Sequence, residues 1–486
     1  MCGCCTSNNI IELTQTQSTS YHSSLCIFGS FSKYYNHKKK YELVSKLGKG
    51  AYGKVNLFRD KELKDIHYAI KTLKKNLLKP SSLTYIKNEV EIISSLDHPN
   101  IVRYFETYED ITQLHIVMEY VPGDNLHMLM KTKVTFTENE MAEIVYCLLK
   151  AVYFLHQNGI VHRDIKPENI LFCETDDLNS LKLIDFGLAI SEKDKKDAHT
   201  VGTPYYMAPE AIKGQISFES DIWPIGVILY IMVTGQRPFQ GKSKTETFEN
   251  IIAENYDKKL LKSLSISDEL KDFIKKILIA NPKKRITIET ALKHKWFQQT
   301  LQKTNILTCP KYHFDTKIID YLIAFKNRTC IQKEILYYIA KIAKYKDIKQ
   351  LTEAFNEIDI HLTGVIEKEE IEKLFQKKGK KEDINIIYDS LDFHNDKKIK
   401  YSEFIAATLP SLNYVDEERL LSAFRYFDVK NEGLITSFLF VEVLKQNNVQ
   451  VNEELIYNDF RVLNLSKEHK IDFEQFKYIF YYRNAN

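Results

Sequence analysis

The sequence lacks three features that would place the protein in familiar classes: an excess of one charge, a long apolar run and a regular cysteine pattern. Lys plus Arg (68) nearly equals Asp plus Glu (65) in a chain of 486 residues, so no overall field marks it for nucleic acid. The longest apolar stretch, Ile225 to Val233, is far below the about 20 residues that span a bilayer. Four of the eight cysteines lie in the first 26 residues, which argues against a disulfide scaffold. With no apolar leader, we expect a cytoplasmic protein.

Five short motifs follow one another along residues 48–210. They are Gly48-Lys-Gly-Ala-Tyr-Gly53, Tyr68-Ala-Ile-Lys71, His162-Arg-Asp-Ile-Lys-Pro-Glu-Asn169, Asp185-Phe-Gly187 and Ala208-Pro-Glu210. Each motif alone is weak support, but all five in this order are very hard to obtain by chance. The set resembles that of eukaryotic protein kinases of the serine/threonine class. This resemblance implies a bilobal α+β domain over residues 41–297 that transfers the γ-phosphate of ATP to hydroxyls of protein substrates.

The glycine-rich motif is the candidate cradle for the nucleotide phosphates. Because glycine has no Cβ, Gly48, Gly50 and Gly53 let the backbone of a strand-turn-strand approach the phosphates. The resemblance implies that Val55 packs on the adenine. It also implies that Glu119 and Val121 offer backbone hydrogen bonds to the base.

Lys71 ends a predicted strand and supplies a point charge to the α and β phosphates. Its ammonium needs a carboxylate to hold it in place, and Glu89, in a helical stretch before Pro99, is the candidate. The alternative interpretation is that Lys71 and Glu89 are surface charges.

The residues that follow His162 carry the predicted chemistry of transfer. Asp164 is the expected catalytic base, because the attacking hydroxyl must lose its proton as the bond to phosphorus forms. Lys166 would neutralise the transferring group. Asn169 and Asp185 supply the hard oxygen ligands that magnesium prefers. Nothing in this set is substituted, which argues against a catalytically dead kinase.

Three features around the catalytic set are interpreted as architectural. Glu210 and Arg285 are predicted to form a buried ion pair, and Asp221 is predicted to begin the helix that supports the catalytic loop. Pro224 then falls in the first helical turn, where proline is tolerated because that N–H has no intrahelical acceptor.

The rest of the chain divides into a tail, a junction and a repeat region. Residues 1–40 are polar and aperiodic, which predicts a disordered tail. Residues 298–346 include a basic segment with apolar residues at helical spacing. Residues 347–486 repeat a helix-loop-helix pattern four times, with the loops beginning near Asp359, Asp392, Asp428 and Asn464. Kinase, basic junction and four EF-hand-like repeats together resemble the calcium-dependent protein kinases. In that family the junction occupies the substrate cleft until EF-hands loaded with calcium clasp it, so the junction is a candidate autoinhibitor and a partner of an all-α EF-hand domain.

All four loops depart from the calcium pattern, which wants oxygen at positions 1, 3 and 5, glycine at 6 and a bidentate Glu at 12. The candidate ligands that survive in the first two loops are Asp359, Thr363, Glu370, Asp392, Asp396 and Glu403. In the first two loops position 3 is a histidine, and the second has Lys397 at position 6. The third has Leu439 at position 12, and the fourth lacks a carboxylate at both ends. Each loop keeps an isoleucine at position 8, which predicts paired loops in each lobe: Ile366, Ile399, Ile435 and Ile471.

These departures leave two further hypotheses beside a calcium-switched kinase. One is a calcium-insensitive kinase of the same architecture, and the other is a scaffolding or calcium-sensing module with vestigial catalysis. At the amino terminus, acylation of Cys2, Cys4 and Cys5 would attach the chain to a membrane surface. The alternative there is an unmodified tail, and the Cys at position 2 argues against myristoylation.

Overall fold

The computed structural model describes residues 40–49, 53–77, 80–110, 112–193, 201–301, 316–377, 379, 382–446, 452–462 and 470–481. The first lobe is a five-stranded antiparallel sheet with strands in the order β1-β2-β3-β5-β4. Its strands are β1 (Tyr41–Lys49), β2 (Gly53–Asp60), β3 (His67–Lys74), β4 (Tyr104–Glu109) and β5 (Gln113–Glu119). The long helix α1 (Pro80–Ser95) packs beside β4.

Both faces of this sheet are covered, as the alternation of its side chains requires. On β3, Leu73 belongs to a core shared with Ile86 and Val90 of α1. Tyr68 and Ile70, on the opposite face, belong to a different and much larger core that includes residues from the last third of the chain.

The second lobe is mainly helical and is built around α3, whose buried residues form the centre of its core. A capping box starts α3: the Glu140 amide donates to Thr137 Oγ1 over 3.3 Å, and the Thr137 amide donates to Glu140 Oε2 over 2.9 Å. The helices are α2 (Leu126–Thr132), α3 (Glu138–Gln157), α4 (Pro209–Ile212), α5 (Ile222–Thr234), α6 (Lys244–Ile252), α7 (Lys258–Ser263), α8 (Asp268–Ile277), α9 (Ile288–Leu292) and α10 (Lys295–Leu301). Two antiparallel strand pairs lie beside α3: β6 (Ile160–Val161) with β9 (Ile190–Ser191), and β7 (Ile170–Glu174) with β8 (Asp177–Leu183).

The junction forms two helices, α11 (Thr316–Phe325) and α12 (Cys330–Ile342). A second capping box starts α12: the Gln332 amide donates to Thr329 Oγ1 over 3.3 Å, and the Thr329 amide donates to Gln332 Oε1 over 3.0 Å. The apolar stripe expected on these helices is buried against the repeat region. Its members are Ile318, Ile319, Leu322, Phe325, Ile331, Ile335, Tyr338, Ile339 and Ile342.

The repeat region contains eight helices arranged as four helix-loop-helix units. They are α13 (Tyr345–Ile358), α14 (Lys368–Lys377), α15 (Ile384–Leu391), α16 (Tyr401–Thr408), α17 (Glu417–Phe427), α18 (Ser437–Gln446), α19 (Glu453–Val462) and α20 (Phe473–Tyr481). Short strands join the loops in pairs: β10 (Val365–Ile366) with β11 (Ile399–Lys400), and β12 (Ile435–Thr436) with β13 (Lys470–Ile471). Ile366 is opposite Ile399, and Ile435 is opposite Ile471, as predicted.

Two helices cross the domain boundaries expected from the sequence. The helix α10 continues to Leu301, four residues beyond 297, and the first repeat helix begins at Tyr345, two residues before 347. None of the helices within the described residues is long and apolar enough to cross a membrane.

Candidate active site and calcium loops

The Lys71 ammonium lies at the centre of the cleft between the two lobes. Its Nζ is 2.5 Å from Glu89 Oε1 and 3.8 Å from Asp185 Oδ1. Lys71 on β3 and Glu89 on α1 are both buried, so the alternative that they are surface charges is wrong. A Cβ on Gly187 would lie 3.2 Å from Asp185 Oδ1 and 3.5 Å from Lys71 Nζ. Gly187, which has no Cβ, therefore leaves space beside the ion pair of Lys71 and Glu89.

Asp164 accepts hydrogen bonds from three side chains. Its Oδ1 accepts from Thr203 Oγ1 over 2.7 Å, and its Oδ2 accepts from Lys166 Nζ over 2.5 Å and from Asn169 Nδ2 over 3.2 Å. Lys166 Nζ also donates to Thr203 Oγ1 over 3.1 Å. The site therefore brings together three sequence-predicted residues and adds Thr203, from the Gly202-Thr203-Pro204 stretch.

The backbone of the catalytic loop is held by Asp221 at the start of α5. Its carboxylate accepts from the amides of His162 (2.8 Å) and Arg163 (2.9 Å) and lies 3.1 Å from His156 Nε2. Although burial alone would raise the pKa of Asp221, its hydrogen bond to His156 and the nearby His162 lower that pKa. Arg163 has φ 68°, a left-handed conformation that the hydrogen bond at its amide stabilises.

Asp185 is placed for ligation by its own backbone. It has φ 63° and its side chain is about half exposed to the cleft. The next residue, Phe186, is buried against the His162 ring, with ring centroids 5.1 Å apart. This anchors the chain on one side of Asp185 and leaves its carboxylate facing the cleft. Asn169 is buried, and its amide nitrogen also donates to the Asp164 carbonyl over 2.9 Å.

Two glycines of the glycine-rich motif are described: Gly48 lies near the end of β1, and Gly53 begins β2. Gly48 is opposite Val55, and a Cβ on Gly48 would meet nothing within 4 Å. A Cβ on Gly53, in contrast, would lie 2.3 Å from the Thr72 carbonyl oxygen on β3. The packing of β2 on β3 therefore requires a glycine at position 53. This requirement is separate from the predicted approach of the backbone to the phosphates. Gly50 lies outside the described residues.

Glu119, at the end of β5, belongs to a buried charge cluster that sequence reasoning missed. Its carboxylate lies 2.9 Å from Arg103 Nη2 and 3.1 Å from Lys182 Nζ. Burial alone would raise the pKa of Glu119, but Arg103 and Lys182 lower it to about 2. The Glu119 amide donates to the Arg103 carbonyl over 2.8 Å, so its own carbonyl is the group left to offer the adenine. Val121, two residues on, is buried in the core of the second lobe.

The predicted Glu210–Arg285 pair is present and buried. Two parallel hydrogen bonds of 2.8 Å join the guanidinium to the carboxylate. Pro224 is the third residue of α5 and so lies in its first turn, as expected. The activation segment is the stretch between the Asp185-Phe-Gly187 and Ala208-Pro-Glu210 motifs. Its residues 194–200 lie outside the described residues.

The first repeat loop keeps two buried acidic residues, Asp359 and Glu370. The Asp359 carboxylate accepts from the amides of Thr363 (2.9 Å) and Gly364 (2.8 Å), and Glu370 accepts from the amides of His361 (3.0 Å) and Glu367 (2.8 Å). Burial, the largest effect, and the nearby Glu370 raise the pKa of Asp359 to about 6. The two buried carboxylates and the Thr363 hydroxyl provide oxygens for calcium, and the left-handed Gly364 allows the turn of the loop, while position 3 is held by His361.

The second loop brings its three acidic residues together but matches them with cationic side chains. Asp392, Asp396 and Glu403 each place a carboxylate oxygen within 4.8 Å of the others. Lys400 forms an ion pair with Asp396, and His394 Nδ1 lies 2.9 Å from Glu403 Oε1. Burial opposes the charge of His394, but Glu334 and Glu403 raise the pKa of its imidazole to about 9. This loop fits calcium less well than the first, because Lys397 stands at position 6 and because His394 and Lys400 already contact its carboxylates.

The third loop folds like the first two although Leu439 stands at position 12. The Asp428 carboxylate accepts from the amides of Glu432 (3.0 Å) and Gly433 (2.7 Å). Most of the fourth loop, including Asn464, lies outside the described residues.

The repeat region and the junction dock on the kinase lobes. Arg103 donates to the carbonyls of Ala340 (3.0 Å) and Ala343 (2.5 Å) at the end of α12. At the first loop, a Cβ on Gly364 would lie 2.4 Å from the His98 ring and 2.7 Å from the Phe154 ring.

Further polar contacts join the repeats to the second lobe and to the start of the first: Ser402 with Asp97, Tyr345 and Lys349 with Asp177, Asn356 with Lys150, and Lys344 and Arg419 with Asp65. Because these partners are far apart in sequence, no local pattern marks them.

The described part of the junction does not occupy the cleft. Among the described residues, the hydrogen bonds and ion pairs of Asp164, Lys166 and Thr203 are made within the kinase lobes. Autoinhibition by the junction stays a prediction, because this arrangement does not test it. The structure has the clasped arrangement, with α12 held by the repeats.

Comparison with known proteins agrees with this architecture. Residues 41–297 match the protein kinase domain, and residues 348–409 match the EF-hand domain pair. Calcium-dependent protein kinase 3 of Plasmodium berghei is 32% identical over 461 residues, which cover 93% of this chain and 81% of that protein. Calcium-dependent protein kinase 7 of Arabidopsis thaliana is 31% identical over 444 residues, covering 90% of this chain and 82% of the relative. Calcium-dependent protein kinase 20 of rice, Oryza sativa subsp. japonica, is 31% identical over 443 residues, covering 90% and 79%.

Fold, site and family match together define a serine/threonine protein kinase with an EF-hand region packed on its kinase domain. A kinase domain implies ATP and magnesium, and the residues described above fit both. Within that class, the chain belongs to the calcium-dependent protein kinase family. These matches favour the enzyme over the scaffolding alternative.

Proposed function

We propose that the kinase is catalytically competent in the clasped arrangement and that its first EF-hand loop makes the activity respond to calcium. The observation that carries the proposal is the ion pair between Lys71 and Glu89, 2.5 Å apart. This contact joins β3 to α1 and is required for transfer by protein kinases. It coexists here with a junction that is held by the repeats.

Each catalytic side chain has a defined part in this proposal. Asp164 accepts the proton of the substrate hydroxyl, and its orientation is fixed by Thr203 and Asn169. Lys166 lies beside it and neutralises charge on the transferring group. Asn169 and Asp185 are the oxygen donors for magnesium, which when bound screens the phosphate charge.

Lys71 would hold the α and β phosphates beneath the β1–β2 turn, where Gly48 leaves open space. Val55 lies opposite Lys71 on the neighbouring strand, where the adenine would pack. The Glu119 carbonyl and the Val121 amide would then bond the base.

The first loop is the proposed calcium sensor, with Asp359, Thr363 and Glu370 as ligands. Two observations support it. Its two carboxylates are buried, and burial, with a smaller effect of Glu370, raises the pKa of Asp359, so a bound cation would offset their charge. The loop also packs directly on the kinase, because Gly364 contacts the His98 and Phe154 rings. A change of loop shape on binding calcium would therefore be felt by α3.

The test is transfer of the ATP γ-phosphate to a basic serine peptide by the full-length protein, in calcium and in excess chelator. We expect higher activity in calcium, loss of that response in Glu370→Gln, and a normal response in the control Glu369→Gln, whose side chain is exposed. Equal activity of the unaltered protein in both conditions would instead favour the calcium-insensitive kinase.

We further propose that the protein is cytoplasmic and reaches a membrane surface through acylation of Cys2, Cys4 and Cys5, which lie outside the described residues. Three thiols close to the chain end provide the two anchors that stable attachment generally takes. Replacing the three by serine should move the protein from the membrane fraction to the supernatant. Unchanged fractionation of that variant would exclude the idea.

A further inference from the structure

His394, at position 3 of the second loop, lies between two buried carboxylates from different parts of the chain. Its Nδ1 is 2.9 Å from Glu403 Oε1 on α16, and its Nε2 is 3.3 Å from Glu334 Oε1 on the junction helix α12. The side chains of all three residues are at most 5% exposed. Because a carboxylate only accepts, each ring nitrogen can bond its carboxylate only as a donor. The ring therefore lies between the junction and the loop, with one carboxylate near each nitrogen.

The first loop provides an internal comparison. Glu370, at position 12 there, accepts from two backbone amides, His361 and Glu367. Glu403 accepts from the equivalent amides, those of His394 over 3.4 Å and Lys400 over 2.8 Å. The two loops therefore hold their position-12 carboxylates in the same way.

They differ in the side chain at position 3. The His361 side chain is exposed, whereas the His394 ring turns inward and touches the carboxylate. The ring of Tyr337 on α12 meets the His394 ring edge to face, with centroids 4.7 Å apart.

The other acidic residues of the second loop also have partners. Asp396 forms an ion pair with Lys400, and Asp392 accepts from the amides of Asp396 (3.0 Å) and Lys397 (2.9 Å). A further positive charge, Lys397, stands at position 6. Calcium would have to displace His394 and Lys400 and then accept a site with an extra lysine. The loop's own cations therefore occupy the place of the metal.

We propose that the His394 side chain fastens the junction helix α12 to the second EF-hand loop without calcium. Its ring fills the space between Glu334 and Glu403, 3.3 Å and 2.9 Å from their oxygens, and so links the junction to the position-12 carboxylate of the loop. The clasp on α12 is then permanent at this loop, and any calcium response must come from elsewhere in the region. This inference does not depend on calcium binding by the first loop.

The experiment measures amide hydrogen exchange of α12 in the full-length protein, in excess chelator. His394→Gln removes the charge and keeps a polar side chain of similar length, and Glu334→Gln removes one carboxylate. We expect His394→Gln to speed the exchange of α12 amides about tenfold or more, because it leaves buried carboxylates unpaired. The variant that carries both His394→Gln and Glu334→Gln should exchange no faster than His394→Gln alone, because both substitutions remove the same contact. The matched control is His361→Gln, which should exchange like the unaltered protein.

Unchanged exchange in His394→Gln would overturn the proposal, and so would additive effects of the two substitutions. A second measurement avoids altering His394 and Glu334, in case their variants fail to fold. In Glu370→Gln, calcium should leave the exchange of α12 unchanged. A tenfold slowing by calcium in that variant would show that the second loop takes the metal and would overturn the proposal. Either result is separate from the activity test of the first loop.

Discussion

At the scale of single residues, the catalytic carboxylate is held from both sides. Thr203 comes from the activation segment and Asn169 from the catalytic loop, and each bonds a different oxygen of Asp164. The general base is therefore oriented only when the activation segment is in place. This couples the geometry of Asp164 to the order of the segment that binds the substrate.

The substitution Asp164→Asn should lower kcat by about 10²–10⁴-fold, which is the usual contribution of a positioned acid or base. The amide keeps the size of the side chain and one accepting oxygen but cannot take the hydroxyl proton. Peptide phosphorylation under saturating ATP is the measurement, and Asp176→Asn, an exposed change on the β7–β8 turn, is the control. Undiminished transfer by the variant would show that the base has been misassigned.

His98 should make the folded protein sensitive to mild acid. Burial and the nearby Lys150 and Lys182 hold the pKa of His98 well below 6.5, and its Nδ1 accepts from the Asn100 amide over 3.0 Å. A base with a lowered folded pKa stabilises the fold above the unfolded pKa, and this stability is lost as the pH falls below about 6.5.

A buried neutral histidine of this kind lowers the free energy of unfolding by up to about 1.4 kcal/mol for each pH unit that the pH falls in that range. The free energy of unfolding in urea should therefore fall less steeply between pH 6.5 and 5.5 in His98→Asn, which keeps an acceptor for the Asn100 amide. His361→Asn, an exposed change, should keep the original slope. The same slope in all three proteins would contradict the assignment.

At the scale of elements, the C-terminal end of α12 is capped by the kinase. The guanidinium of Arg103 bonds the Ala340 and Ala343 carbonyls and also the Glu119 carboxylate, so one side chain ties the junction to the strand that ends at the adenine site. A cation at this end of a helix is also favoured by the helix dipole.

Replacing Arg103 by methionine should destabilise the protein by about 3–5 kcal/mol, as expected when one partner of a buried ion pair is removed. The Glu119 carboxylate would lose the guanidinium and keep Lys182 and the amide of residue 103, and the Ala340 and Ala343 carbonyls would lose the guanidinium donor. Urea unfolding gives the free energy, and hydrogen exchange should show faster opening at Ala340 and Ala343. The control Lys276→Met breaks an exposed ion pair and should cost less than about 1 kcal/mol. Equal losses in the two variants would mean that the Arg103 cluster adds nothing.

The sequence was enough for elements whose signals are local. The resemblance of its motifs to those of protein kinases indicated Lys71, Glu89 and Asp164, helical spacing predicted the stripe on α11 and α12, and the EF-hand pattern indicated the isoleucines that pair the loops. The sequence could not supply contacts whose partners are far along the chain, such as Arg103 with Ala340, 237 positions apart.

The sequence also did not show the surroundings of individual side chains. The histidines at position 3 of the first two loops look alike in sequence, yet His361 is exposed and His394 is buried between two carboxylates. Likewise, Gly53 was assigned to phosphate binding, whereas the space around it is closed by β3. Burial depends on which elements pack together, and that is decided by the whole chain.

At the scale of the whole molecule, one face of the first kinase sheet and the EF-hand region share one apolar core. Tyr68 and Ile70 of the first sheet belong to the same cluster as Ile335 of α12 and Phe404 of α16. A substitution in the buried part of the repeats should therefore also affect the stability of the kinase lobes.

Phe404→Ala should cost about 3–5 kcal/mol, since the ring is fully buried, and should lower the temperature at which phosphotransfer is lost. Residual activity after brief heating is the measurement. Phe438→Ala makes the same change at a site that is 61% exposed and should behave like the unaltered protein. Equal heat resistance of both variants would show that the two regions unfold independently.

The shared core also sets an order for the synthesis of the protein. The sheet of the first lobe has one face that can be buried only after α12 and α16, about 300 residues later, have left the ribosome. At about 5–20 residues per second, that face stays exposed to water for on the order of tens of seconds. The nascent chain therefore carries an exposed apolar sheet for most of its translation, and chaperones that recognise such surfaces have a long time in which to bind it.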